Sequence, residues 1–138
     1  VAAPHEVIEA VMIQRDYDTI SVGMLDDHFA TLALEARDRV LARSQAITRG
    51  NLALLAEWIA GEPKLSWVRP RSGTTAFVKV DLPMTSREFC VALLEETGVM
   101  FTPGSALGME GYVRIGYANN PAILKEGLTR VSAFLAKL

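Results

Sequence analysis

Apolar residues recur at helical spacing along most of the chain and give way to strict alternation in only two places. After Pro4, a residue that suits the first turn of a helix, Val7, Ile8, Val11 and Met12 share one helical face. This first helix is expected to end near Asp16-Tyr17-Asp18, and residues 19–24 read as a glycine-containing connector. Asp26 or Asp27 is expected to cap the next helix. From there to Ala60 only Gly50 interrupts a pattern in which Leu32, Ala36, Val40, Ile47, Leu54, Leu55 and Trp58 trace one face, predicting either two abutting helices or one bent helix. Gly61-Glu62-Pro63 closes it.

Alternation then appears from Thr74 to Val80 and again from Tyr112 to Tyr117. Between them Thr85-Ser86-Arg87-Glu88 forms a capping box, opening a helix with the stripe Phe89, Leu93 and Leu94 that stops at Gly98. Asn120 caps and Pro121 begins a last helix, striped by Leu124, Leu128, Val131, Leu135 and Leu138. The predicted fold is α/β (α+β). A small mixed sheet including residues 74–81 and 112–117 has the helices at 86–97 and 121–137 packed on one side, and a long helix at roughly 26–60 runs along its edge.

Composition narrows the function more than the fold. The chain has 138 residues, enough for one core, with 50% hydrophobic residues. Fourteen Lys and Arg against 16 Asp and Glu give no electrostatic reason for a nucleic acid or an anionic membrane as partner. No apolar run approaches the roughly 18 residues of a membrane span. Cys90 stands alone, so no intramolecular disulfide forms, which fits a reducing, cytoplasmic compartment. On an apolar helix with no nearby His, it reads as a core residue rather than a nucleophile. His5 and His28 have no cysteine partner and make no metal site. Arg37, Asp38, Arg39, Arg43 and Arg49 read as a solvated helix face.

One stretch carries chemistry. Gly98 to Ala118 reads GVMFTPGSALGMEGYVRIGYA: a helix stop, a loop with Pro103, Gly104, Ser105, Gly108 and Gly111, then an alternating strand. Arg114 is a permanently charged, planar fork within that apolar strand, suited to a carboxylate or phosphate held by two parallel hydrogen bonds. A structural arginine paired with an acidic side chain such as Glu110 is the alternative.

The stretch resembles the C-terminal signature of the fold-type I pyridoxal-phosphate (PLP) enzymes, the class I and II aminotransferases. The matching positions are Gly98-Val99, Pro103-Gly104-Ser105, Leu107-Gly108, Gly111 and Arg114, with Leu107 where the family usually has Phe. The resemblance implies that Arg114 binds the α-carboxylate of an amino-acid substrate. It also implies that the connector with Tyr17 and Ser21 approaches the neighbouring subunit's cofactor; from the residues alone both are ordinary loop chemistry. Val1-Ala2-Ala3-Pro4 resembles the end of a large-domain strand. The domains expected are residues 1–24, the tail of the large PLP domain, and residues 25–138, the small domain with its leading interdomain helix.

Lys64, Lys79, Lys125 and Lys137 are the chain's lysines, and none has the serine-rich surroundings of the family's cofactor-binding lysine. That lysine is therefore expected upstream of Val1, and the fragment is expected to be inactive, with PLP bound only in the full-length parent. The function implied is that of an aminotransferase moving an amino group between an amino acid and a 2-oxo acid, as a homodimer. A carbon–sulfur lyase or decarboxylase of the same fold, or the sensor half of a transcription regulator, stands as the alternative.

Overall fold

The computed structural model describes residues 2–138, and its contacts divide between Leu41 and Ala42, inside a helix. The first unit holds α1 (His5–Asp18), α2 (Met24–Glu35) and the start of α3 (Arg37–Gly61). Neither α1 nor α2 buries a residue, and Phe29, Leu34 and Met24 remain exposed. Of the expected strand end, Val1 lies outside the described residues, and Ala2, Ala3 and Pro4 belong to no strand.

The long helical stretch is two abutting helices, and the break differs from the one Gly50 suggests. It falls at Ala36, whose ψ of 18° leaves the helical region while its N–H still bonds to Leu32 and Leu34. Gly50 stays inside α3 because the residues after it pack: Asn51, Leu55 and Ile59 form a buried i, i+4, i+8 stripe. The α2 cap is also corrected. Gly23 occupies the N-cap position, and Asp26 and Asp27 lie in the first turn, where their charge opposes the helix dipole's positive end.

The second unit contains the sheet. Four strands, β1 (Leu65–Trp67), β2 (Thr75–Val80), β3 (Thr102–Pro103) and β4 (Tyr112–Gly116), lie in the order β1-β2-β4-β3. Every pairing is antiparallel, where a mixed sheet was expected. The added strands explain the difference. β1 lies in residues 65–70, expected to be only a connector, and pairs Leu65 with Val80, while β3 lies in the expected loop and pairs Thr102 with Arg114.

One sheet face is covered. Ala76, Val78, Val113, Ile115 and Tyr117 point into a core shared with Leu55 and Ile59 of α3, Phe89, Cys90 and Leu93 of α4 (Ser86–Thr97), and Leu124, Leu128, Val131, Phe134 and Leu135 of α5 (Pro121–Leu135). Cys90, not Leu94, completes the α4 stripe; Leu94 is exposed, as is Leu138 beyond α5. The local signals are realised as read. Thr85 and Glu88 form the reciprocal capping box, Gly98 ends α4 at φ 72°, and Asn120 accepts from the Ala122 N–H ahead of Pro121. Among the described residues no helix is long and apolar enough to cross a membrane.

Candidate functional site

Alternation leaves the opposite sheet face open. Thr75, Phe77 and Lys79 of β2 and Tyr112, Arg114 and Gly116 of β4 share it, out of phase with the buried set. Arg114 lies directly across from Phe77 on one side and Thr102 on the other. The rings of Phe77 and Tyr112 are 6.3 Å apart, an aromatic wall along the same face. Gly116, two residues beyond Arg114 on that face, would place a Cβ in open space, so nothing fills the position beside the arginine.

Arg114 is exposed, and its Nη2 donates to Thr102 Oγ1 at 3.2 Å. Among the described residues it makes no ion pair. Glu110, the acidic partner considered from sequence, is occupied elsewhere: its Oε1 accepts from the Ser86 N–H at 2.5 Å and the Gly111 N–H at 3.0 Å. Those two backbone donors, the Ser86 bond foremost, hold the Glu110 carboxyl below its ordinary value of 4.5. The guanidinium is thus a cation without a carboxylate, the state an anion-binding group needs before its ligand arrives.

A tightly folded loop delivers it. The 3-10 turn Gly104–Leu107 ends at Gly108, where φ is 73°, and Gly111 follows at 76°. Gly104 allows no side chain: an added Cβ would lie 2.0 Å from the Met109 carbonyl oxygen and 2.5 Å from that of Tyr112. The loop closes across this contact, with the Met109 N–H donating to the Gly104 oxygen at 2.8 Å. Leu107, the departure from the family's usual aromatic residue, is 46% exposed and packs into no core.

The other sequence candidates lie in the first unit. Tyr17 is on the last turn of α1 and 87% exposed. Ser21 is exposed in the connector, beside Ile20, whose φ of 58° is a costly conformation for a β-branched residue. The second unit also holds a cavity of about 340 Å³ lined by Phe101, Ile115, Leu124 and Leu128. Gly116, from the face that carries Arg114, also lines this cavity, while Arg114 itself does not.

The chain's four lysines all lie in the second unit. Lys64 Nζ donates to the Leu135 carbonyl at 2.8 Å, Lys137 pairs with Glu96, and Lys125 is exposed on α5. Lys79 is exposed on the open face, paired across the strands with Tyr112. Among the described residues no group of three or more His, Cys, Asp or Glu could hold a metal ion. Cys90 is buried, and burial pushes its thiol up to about 11, as a core residue's would be.

Two contributors escaped the sequence reading. Asn51 is fully buried and its Nδ2 donates to the carbonyls of Tyr117 and Asn119, each at 2.7 Å, fastening α3 to the chain just after β4. Its spacing with Leu55 and Ile59 was the available signal. Ser86 is the other: buried, with its Oγ accepting from the Ser105 N–H at 3.2 Å.

No family model matches the chain. The chain is 29% identical over 130 residues to capreomycidine synthase of Streptomyces vinaceus, covering 94% of this chain and 33% of that protein. It is 40% identical over 76 residues to a probable N-acetyl-LL-diaminopimelate aminotransferase of Bacillus subtilis (strain 168), covering 53% of this chain and 19% of the relative. The crystal structure of a PLP-dependent aminotransferase from Streptococcus suis 89-1591 superposes with a TM-score of 0.96 at 40% identity, covering 99% of this chain and 36% of that one. The chain thus spans about a third or less of the length of the proteins it matches. By sequence and by fold it is a relative of the PLP-dependent aminotransferases, consistent with a C-terminal segment of a fold-type I member.

Proposed function

We propose that this chain is the carboxylate-recognising part of an aminotransferase, with Arg114 holding the α-carboxylate of an amino acid while its amino group is exchanged with a 2-oxo acid. The supporting observation is an exposed arginine on the open sheet face, hydrogen-bonded only to a threonine hydroxyl and free of any acidic partner among the described residues. A planar guanidinium offers two parallel N–H donors to a carboxylate, and both bonds together hold that carboxylate in place and so restrict rotation about the substrate's N–Cα bond. That orientation selects which Cα bond is presented for reaction, an effect that lowers barriers by several kcal/mol. PLP, when bound, supplies the electron sink for the carbanion. The phenyl ring of Phe77 and the vacancy beside Gly116 bound the space next to the carboxylate.

None of Lys64, Lys79, Lys125 and Lys137 has the serine-rich surroundings of the family's cofactor-binding lysine, so PLP is assigned to other residues of the parent protein. Residues 1–24 are proposed as the tail of its large domain and 25–138 as its small domain, α3 spanning the contact boundary at Leu41. A cytoplasmic homodimer, with Tyr17 and Ser21 facing the neighbouring subunit's cofactor, completes this reading. By itself the 138-residue chain should neither hold PLP covalently nor transaminate. Incubation with PLP, borohydride reduction and peptide mapping test this; stoichiometric labelling of one lysine together with turnover would contradict it.

Arg114→Lys in the parent protein tests the central assignment. It keeps the charge and loses one of two parallel hydrogen bonds, each worth roughly 1.5–3 kcal/mol to a charged group. The kcat/KM for the amino acid should fall about ten- to a hundredfold, with cofactor absorbance and Tm retained. Unchanged kcat/KM with a lowered Tm would reassign Arg114 to structure. A second reading is another PLP reaction on the same framework, favoured by the match to a synthase over 94% of the chain. Assaying the parent for amino transfer to a 2-oxo acid separates the two.

A further inference from the structure

Arg114 and Thr102, whose hydroxyl accepts from its guanidinium, sit on the two strands of a hairpin, β3 and β4, whose connecting loop runs from Gly104 to Gly111. The β3 side of this hairpin is weak, since β3 is two residues long and pairs with β4 at only two positions. The loop is held by its own Met109–Gly104 bond, by the Val80 N–H on the Gly111 carbonyl at 2.9 Å, and by the N-terminus of α4. Ser86, the first residue of that helix, uses both ends of its polar surface: its Oγ accepts from the Ser105 N–H and its own N–H donates to Glu110 Oε1. The same carboxylate oxygen takes the Gly111 N–H, one residue before β4 begins. Glu110 therefore bonds a helix start and a strand start at once. The rest of the helix end is engaged separately, with Glu88 on the Thr85 N–H.

We propose that Glu110 is a positioning residue for Arg114: by fastening the β3–β4 hairpin to the α4 N-terminus it sets where the guanidinium stands relative to Thr102 and to the substrate carboxylate. The proposal rests on the carboxylate role of Arg114. In this role Glu110 bonds backbone rather than substrate, and among the described residues it makes no ion pair with Arg114. Without Glu110 the Gly111 carbonyl keeps the Val80 N–H and Ser105 keeps Ser86, but the stretch from Gly108 to Gly111, with both glycines at positive φ, loses its own bond to the α4 N-terminus. A shift of the hairpin by about an ångström suffices to spoil a two-bond fit and cost up to about a hundredfold.

The test uses the PLP-loaded parent protein, titrated with L-alanine and with ethylamine, which differ only in the carboxyl group, and read by the cofactor's absorbance. The ratio of the two affinities reports carboxylate recognition alone. Glu110→Ala should lower that ratio about ten- to a hundredfold, and Glu110→Gln, whose amide oxygen still accepts both N–H groups, should restore most of it. If Glu110→Ala does not fold, Glu110→Asp, too short to reach both donors, should show the same loss. Arg114→Lys is the reference. If Arg114→Lys lowers the ratio and the folded Glu110 variants do not, the clasp is overturned and the role of Arg114 stands. If Arg114→Lys leaves the ratio unchanged, the carboxylate role fails and the positioning role fails with it.

Discussion

Asn51 donates to the carbonyl oxygen of Tyr117 at 2.7 Å, across 66 residues of chain. A second bond from the same Nδ2, to the Asn119 oxygen at 2.7 Å, fixes the amide's orientation, since two carbonyls can face only the nitrogen. The Oδ1 has no hydrogen-bond partner among the described residues. This one buried side chain joins α3 to the segment that leaves β4, and Tyr117 in turn donates its hydroxyl to the Gly73 carbonyl at 2.8 Å. Asn51→Ala removes both bonds and leaves two carbonyls desolvated. The expected loss is about 2–4 kcal/mol, visible as a lower urea midpoint with an unchanged slope. Fluorescence of Trp58 and Trp67, both in the second unit, follows it. A change under about 0.5 kcal/mol, the size of an ordinary surface substitution, would show that α3 is held by its apolar stripe alone.

Acid should loosen the α4 N-terminus. Glu88 is held below its ordinary value of 4.5, first by the Thr85 N–H and then by the Thr85 hydroxyl, and Glu110 likewise by the Ser86 and Gly111 N–H groups. The two carboxylates also repel each other slightly. Because both folded values lie below the unfolded ones, their stabilisation is present above pH 4.5 and is lost as pH falls through the folded values. The double variant Glu88→Gln, Glu110→Gln should therefore show a flatter stability curve between about pH 5 and pH 3. Thermal melts followed through the two tryptophans decide it, and curves that run parallel would remove these carboxylates from the acid response.

What the chain's pattern could and could not show follows from element length and from tertiary packing. Thr75–Val80 and Tyr112–Gly116 are long enough to alternate, so the faces of Arg114 and Phe77 were readable from period alone. β1 and β3, of three and two residues, carry no period, and Pro103 argues against a strand at all. Missing them concealed the antiparallel pairing and Thr102's place beside Arg114. The break at Ala36 carried no glycine or proline to mark it. Glu110 was visible only as a charge near Arg114, because its true partners are backbone N–H groups that no side-chain pattern records.

Gly50 and Gly104 should respond to alanine with opposite signs. Gly50 lies inside α3, and a Cβ there would meet nothing within 4 Å. Its glycine only costs backbone entropy, so Gly50→Ala should stabilise by about 0.5–1 kcal/mol. Gly104 has an ordinary negative-φ environment but no room: the clash is with the backbone oxygens of Met109 and Tyr112, which cannot rotate away as a flexible side chain would. Accepting a methyl group there requires the loop to open, and the loop's far end is the start of the strand bearing Arg114. Gly104→Ala should therefore destabilise by about 1–3 kcal/mol or more and, in the parent enzyme, weaken binding of the amino acid more than binding of the corresponding amine. Urea unfolding of the two single variants and of the pair checks this. The sites belong to different elements, so the double variant should equal the sum of the singles within about 0.5 kcal/mol. Equal effects of like sign at the two glycines would refute the packing argument at Gly104.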